Sequence, residues 1–127
     1  MWVKFQNNPA GRNVGDCAVR AISVALSVDW ETAYAMLVAQ GYMLADMPSS
    51  DAVSGAVLRN HGFKRKNIPD ACPDCYTIAD FCEDNPHGIF VIGTGEHIVT
   101  AIDGDVYDSW DSSREIPVYV WYKPDAA

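Results

Sequence analysis

The chain has 127 residues, is nearly half hydrophobic and carries a formal net charge of −8, which predicts one globular domain, residues 1–127, with a substantial core. The acidic balance argues against nucleic acid as the main partner, because phosphate binding needs clustered Lys and Arg, and the one basic run, Lys64-Arg65-Lys66, reads as a solvated surface strand or loop. No apolar stretch reaches the length of a membrane span and the first residues lack a signal-peptide layout, so a soluble cytoplasmic protein is expected, whose four cysteines are thiols or metal ligands rather than disulfides.

Residues 1–14 mix Trp2, Val3 and Phe5 with Gln6, Asn7, Asn8, Pro9, Gly11 and Asn13, a short strand running into a polar loop. The loop delivers the chain to Gly15-Asp16-Cys17-Ala18-Val19. Asp16 is a good helix N-cap. Cys17 then falls in the first helical turn, where unpaired N–H groups and the positive end of the dipole favour a thiolate, partly opposed by the Asp16 charge. On position alone a small buried hydrophobe is the better reading, and the later stretch around His97 tips the balance. Residues 17–27 are apolar almost all round, which predicts a central buried helix. Arg20 is the exception, with Asp16 four residues earlier as its partner and the anchoring of the loop as its role.

Asp29 is predicted to cap a second helix with Trp30, Ala33, Tyr34, Leu37 and Val38 on one stripe, ending at Gly41. Tyr42, Met43, Leu44 and Met47 then fall in a loop apolar enough to pack or to line a cleft. A third helix, from about Ser50 to His61, carries Val53, Ala56 and Val57 at helical spacing and stops at Gly62, with His61 complementing its C-terminus. Residues 63–68 form a short strand. Pro69, Asp70, Pro73 and Asp74 mark a turn-rich connection from a helical half to a β half, and Thr77 with Asp80 makes a capping box for a short helix that turns Ile78, Phe81 and Cys82 inward.

Ile89–Ile92 is a buried strand, and Ile116–Tyr122 alternates as a last one with Pro117 near its start. Between them, residues 95–111 read as a β-hairpin of two half-buried strands about Asp103-Gly104, with His97 opening the first strand and carboxylates late in the second. An even loop sets Ile102 opposite Asp105 and His97 opposite Trp110. Asp108 then lies one diagonal step from His97 on the same face. An odd loop brings Asp111 opposite His97 and turns Asp108 away. The two-residue Asp103-Gly104 turn is the even loop and favours Asp108.

The Asp16-Cys17 pair, His87-Gly88 before strand 89–92, Gly93-Thr94-Gly95-Glu96-His97 and Tyr107-Asp108-Ser109-Trp110-Asp111 together resemble, in order and spacing, the papain-like cysteine peptidases. More closely, they resemble small domains of phages and bacteria related to the bacteriocin-processing peptidases. The resemblance covers most of the chain. It implies an α+β papain-like cysteine peptidase fold, with N-terminal helices packed on a C-terminal antiparallel sheet, and no cofactor. It also implies hydrolysis of a peptide, isopeptide or amide bond in a peptide or protein substrate through a thioester, with Cys17 as nucleophile, His97 as base and Asp108 as the acid that orients the imidazole. Trp110 would shield that pair. A glutamine a few residues before the nucleophile usually completes the oxyanion hole of such enzymes; Gly11 stands six residues before Cys17, which leaves Asn13 or Gln6 as the side-chain donor beside the Cys17 N–H.

Two other classes of function are open to the same residues. Cys72-Pro73-Asp74-Cys75 with Cys82 and His87 offers four zinc ligands, which would make a zinc-stabilised binding module. An assembly or interaction component, such as one from a phage, would instead present Tyr119, Trp121 and Tyr122 of the last strand to a partner.

Overall fold

The computed structural model describes residues 1–69 and 76–124. In chain order the elements are β1 (Trp2–Lys4), α1 (Cys17–Leu26), α2 (Trp30–Leu44), α3 (Asp51–Asn60), β2 (Lys64–Asn67), α4 (Ile78–Asp84), β3 (Ile89–Gly93), β4 (Ile98–Ile102), β5 (Asp105–Asp108) and β6 (Tyr119–Tyr122). The four helices among the described residues pack on one six-stranded sheet of order β1-β5-β4-β3-β6-β2. The α+β class is as expected. The sheet is mixed rather than antiparallel, because β1 returns to pair in parallel with β5 while β2 joins the opposite edge beside β6. The division into a helical half and a β half therefore fails at both edges, where strands from the first half complete the sheet.

Alternation along the central strands decides the layering. Val91, Ile98, Tyr119 and Trp121 face α1, α2 and α3 and share a core with Ala21, Ile22, Leu37, Val53 and Leu58. Their neighbours Ile92, Val99, Ala101, Val106 and Val120 face the other way and pack on Ile78, Phe81 and Cys82 of α4. The hairpin strand β4 is thus covered on both faces, not half-buried as its sequence suggested, because α4 closes the side that a simple two-layer arrangement leaves to solvent.

Local chemistry explains most boundaries. Asp29 accepts from the Thr32 N–H at 2.7 Å, and Thr77 and Asp80 form the reciprocal capping box of α4. His61 Nδ1 lies 2.8 Å from the Val57 carbonyl oxygen at the end of α3. α2 runs past Gly41 to Leu44. Gly41 is needed for close approach instead of for termination, since a Cβ there would stand 2.8 Å from the Asp46 carbonyl oxygen. The buried stripe of α2 is Ala33, Leu37 and Gly41, so Tyr34 and Val38 are largely exposed, and Tyr42, Met43, Leu44 and Met47 project into solvent where packing was expected. No single described helix is long and apolar enough to cross a membrane.

Gly93 fixes how β3 and β6 meet near the site. An added Cβ would lie 2.0 Å from the ring of Tyr119, which is buried against it. Gly93→Ala is expected to cost about 2–3 kcal/mol in urea unfolding by overpacking, and adding Tyr119→Leu should recover part of that loss; a neutral single variant would contradict the contact.

Candidate functional site

Cys17 opens α1 and is half-buried, its sulfur turned toward the start of β4. One contact holds helix and strand together there and a second ties the preceding loop to the helix. Thr100 Oγ1 donates to the Ala21 carbonyl oxygen at 2.7 Å inside the core, and Asn7 Nδ2 donates to Ser23 Oγ at 2.9 Å, pinning the preceding loop. Asp16 occupies the N-cap position without capping. Its carboxylate accepts from Arg20 Nη1 and from Trp30 Nε1, both at 2.9 Å, so the expected cap is withdrawn into an ionic contact. In consequence the N–H groups of Cys17, Ala18 and Val19 have no hydrogen-bond partner among the described residues.

His97 is set by a tight turn at the N-terminal end of β4. The His97 N–H donates to Thr94 Oγ1 at 3.1 Å, the Thr94 N–H donates to the His97 carbonyl oxygen at 2.9 Å, and Gly95 takes the left-handed conformation, φ 99°, that the turn requires. β4 is an interior strand, so the imidazole stands at the end of a central strand and not at the sheet's edge. The hairpin beyond it closes on a two-residue turn with φ positive at both Asp103 and Gly104, and Ile102 pairs with Asp105. That is the even loop. It puts Asp108 Oδ2 2.6 Å from His97 Nε2 and leaves Asp111 exposed, bonded to Ser113.

Asp108 is almost wholly buried and heavily engaged. Ser112 Oγ donates to Oδ2 at 2.6 Å, the Ser109 N–H donates to Oδ1 at 2.8 Å, and Arg20 Nη2 lies 3.1 Å from Oδ1. Trp2 Nε1 donates to its main-chain oxygen at 3.0 Å, which ties β1 to the same point. Arg20 therefore bridges Asp16, beside the cysteine, to Asp108, beside the histidine. The sequence identified only the first of these partners. Ser112, Thr94, Thr100 and Trp2 were also missed: Thr100 and Trp2 act across the fold, while Thr94 and Ser112 act three residues from His97 and four from Asp108, in turns that the strand pattern does not mark.

The electrostatics run in one direction. A hydrogen bond with His97 holds the Cys17 thiol below its ordinary value; burial opposes it, and the His97 charge, the Ile98 N–H and Arg20 add to it. Burial alone would lower His97, but its bonds to Asp108 and Cys17 outweigh that and raise it to about 9. Burial would raise Asp108, and the hydrogen bonds from His97 and Ser112 bring it below the usual carboxylate value. Because Nε2 is taken by Asp108, Nδ1 is the nitrogen left for Cys17. Trp110 lies on the imidazole at 4.8 Å between ring centroids with its outer face in solvent, a cover and not a core residue.

The side-chain oxyanion candidates are not drawn into the site by any contact. Gln6 is spent on its own loop, its Oε1 accepting from the Asn8 N–H at 2.9 Å and its Nε2 directed at the Arg12 carbonyl oxygen, and Asn13 is exposed. Of the zinc candidates, Cys72 and Cys75 lie outside the described residues. Cys82 is packed in the α4 core, where burial pushes its thiol up, and His87 is exposed. Among the described residues no three His, Cys, Asp or Glu side chains converge on a point where a metal ion could sit. Tyr119 and Trp121 are core residues and Tyr122 is half-buried, so the last strand presents no row of free aromatics.

Fold and site together define an α+β domain in which the bonded His97–Asp108 pair of one hairpin stands near the cysteine that opens one helix. No protein-family model, curated protein sequence or solved structure matches the chain.

Proposed function

We propose that the protein is a cysteine hydrolase of papain-like type, cleaving an amide or peptide bond through a thioester on Cys17. The observation that carries this reading is the 2.6 Å bond between His97 and Asp108 together with Cys17, a thiol that His97 holds below its ordinary value at an uncapped helix N-terminus. In this reading the Cys17 thiolate attacks the substrate carbonyl carbon, forming the C–S bond, and the oxygen takes the charge against the unpaired N–H groups of Cys17 and Ala18. The His97 imidazolium gives its proton to the leaving nitrogen as the C–N bond breaks. Water then attacks the thioester, His97 accepts its proton, and the acid leaves as the thiol is restored. Asp108 holds the ring with Nδ1 toward sulfur, and Arg20 and Ser112 hold Asp108. Backbone donors at the head of α1 fill the place for which Asn13 and Gln6 were considered.

Intact-protein mass spectrometry after exposure to a panel of N-acetyl amino acid thioesters tests the reading. One acyl group on Cys17 is expected, slow to hydrolyse in His97→Ala and absent in Cys17→Ala. Acylation no faster than that of a free thiol would overturn it.

A further inference from the structure

A cavity of about 380 Å³ opens between the 8–16 loop, the first turn of α1 and the first two turns of α2. Ala18 and Val19, whose N–H groups have no partner among the described residues, form one wall, and Trp30, Tyr34 and Leu37 form the other; Cys17 does not line the space but stands between Asp16 and Ala18, which do. Trp30 and Tyr34 stack with ring centroids 5.0 Å apart and planes 18° apart. The Trp30 indole is fixed by its bond to Asp16 at 2.9 Å, so the aromatic wall is braced against the residue that precedes Cys17. Two charged side chains line the space. Asp16 is already engaged by Arg20 and Trp30, and Arg12 stands on the exposed rim.

We propose that this cavity is the specificity pocket of the Cys17 site and takes one large apolar side chain, aromatic by preference, from the peptide whose carbonyl is presented to Cys17. This assignment rests on the hydrolase reading above. The volume is at the lower end of the roughly 300–1,000 Å³ typical of ligand pockets, room for one bulky side chain and too little for a folded partner. A cationic side chain would meet Arg12, and a small one would leave the aromatic wall wet. A ring seated on Trp30 and Tyr34 gains offset or edge contacts that an aliphatic chain lacks. The peptide that carries it lies beside the head of α1, where donors for its carbonyl remain unused.

The test uses Cys17→Ala protein, which binds without turning over, titrated with the N-acetyl methylamides of Phe, Leu, Ala and Lys and followed by amide and indole NMR shifts. The Phe compound is expected to bind at least tenfold more tightly than the Ala or Lys compound, with Leu between, and to shift Ala18, Val19 and the Trp30 indole. Adding Tyr34→Ala, at a largely exposed position, should weaken the Phe compound about fivefold while leaving the Ala compound unchanged, and Tyr34→Phe should restore the preference. Equal binding of Phe and Ala, shifts elsewhere, or a preference untouched by Tyr34→Ala would overturn the pocket. Wild-type acylation on Cys17 without side-chain preference overturns the pocket alone. Selective binding with a wild-type thiol that never acylates overturns the hydrolase reading, and the pocket then loses its assignment to substrate.

Discussion

His97→Ala is expected to slow alkylation of Cys17 by iodoacetamide by roughly ten- to a hundredfold at about pH 5.5, with the difference closing near pH 9. At the lower pH an ordinary thiol is only about 0.1% thiolate, and the imidazolium beside Cys17, by holding the thiol below its ordinary value, raises that fraction. Part of that advantage is lost because a thiolate of lower pKa is a weaker nucleophile, which is why the expected ratio is well below a thousandfold. The sign for stability follows from the same groups. His97 is raised from 6.5 to about 9 in the fold, so its stabilising contribution is whole below pH 6.5 and is lost as pH rises through about 9. Cys17 is lowered, so its contribution is present above the ordinary thiol value of 9.0 and is lost as pH falls through its folded value. A constant rate ratio across pH would mean that His97 governs access and not ionisation, and no decrease at low pH would remove the ion pair from the description.

The hairpin shows how much of this site is written locally. Asp103-Gly104 can adopt positive φ at both positions, the two-residue turn sets Ile102 against Asp105, and the period of two then carries Asp108 to the face of His97. Nothing beyond twelve consecutive residues was needed to prefer Asp108 over Asp111. The caps of α2 and α4 were legible for the same reason. Each is a side chain bonding a backbone group three residues away.

Asp16 marks where that kind of reading stops. Its type and position call for a cap, yet Arg20 and Trp30 draw the carboxylate away, and Trp30 is fourteen residues distant on another helix. The expected cap is absent, and a capped head of α1 would have fewer N–H groups left for a substrate oxygen. Asn13 and Gln6 were expected as donors for a different reason, the glutamine that the resembled enzymes carry before the nucleophile. The sheet was misjudged in the same way: three residues at Trp2–Lys4 and four exposed ones at Lys64–Asn67 carry too little pattern to say which edge they join.

Arg20→Met should destabilise the protein by about 3–5 kcal/mol, on the order of 12–20 °C in Tm, and also move the pH profile of Cys17 alkylation upward. Arg20, Asp16 and Asp108 are each at least nine-tenths buried, and the guanidinium reaches both carboxylates, at 2.9 and 3.1 Å. Methionine fills comparable space but leaves two buried carboxylates without their cation. The deficit should therefore be largest near neutrality. Asp108 is depressed in the wild type, so its contribution is present above the ordinary carboxylate value of 3.8 and is lost as pH falls through its folded value. Protonation removes the need for Arg20, and wild type and variant should converge in acid. Arg20→Lys separates charge from geometry, since an ammonium can meet one carboxylate but lacks the fork that spans two; it should recover part of the stability and little of the thiol's pH profile. If Arg20→Met lowers Tm but leaves the Cys17 profile where it was, Arg20 is a structural clasp alone. A profile that moves with the charge places Arg20 as the positioning residue that couples the cysteine helix to the histidine hairpin.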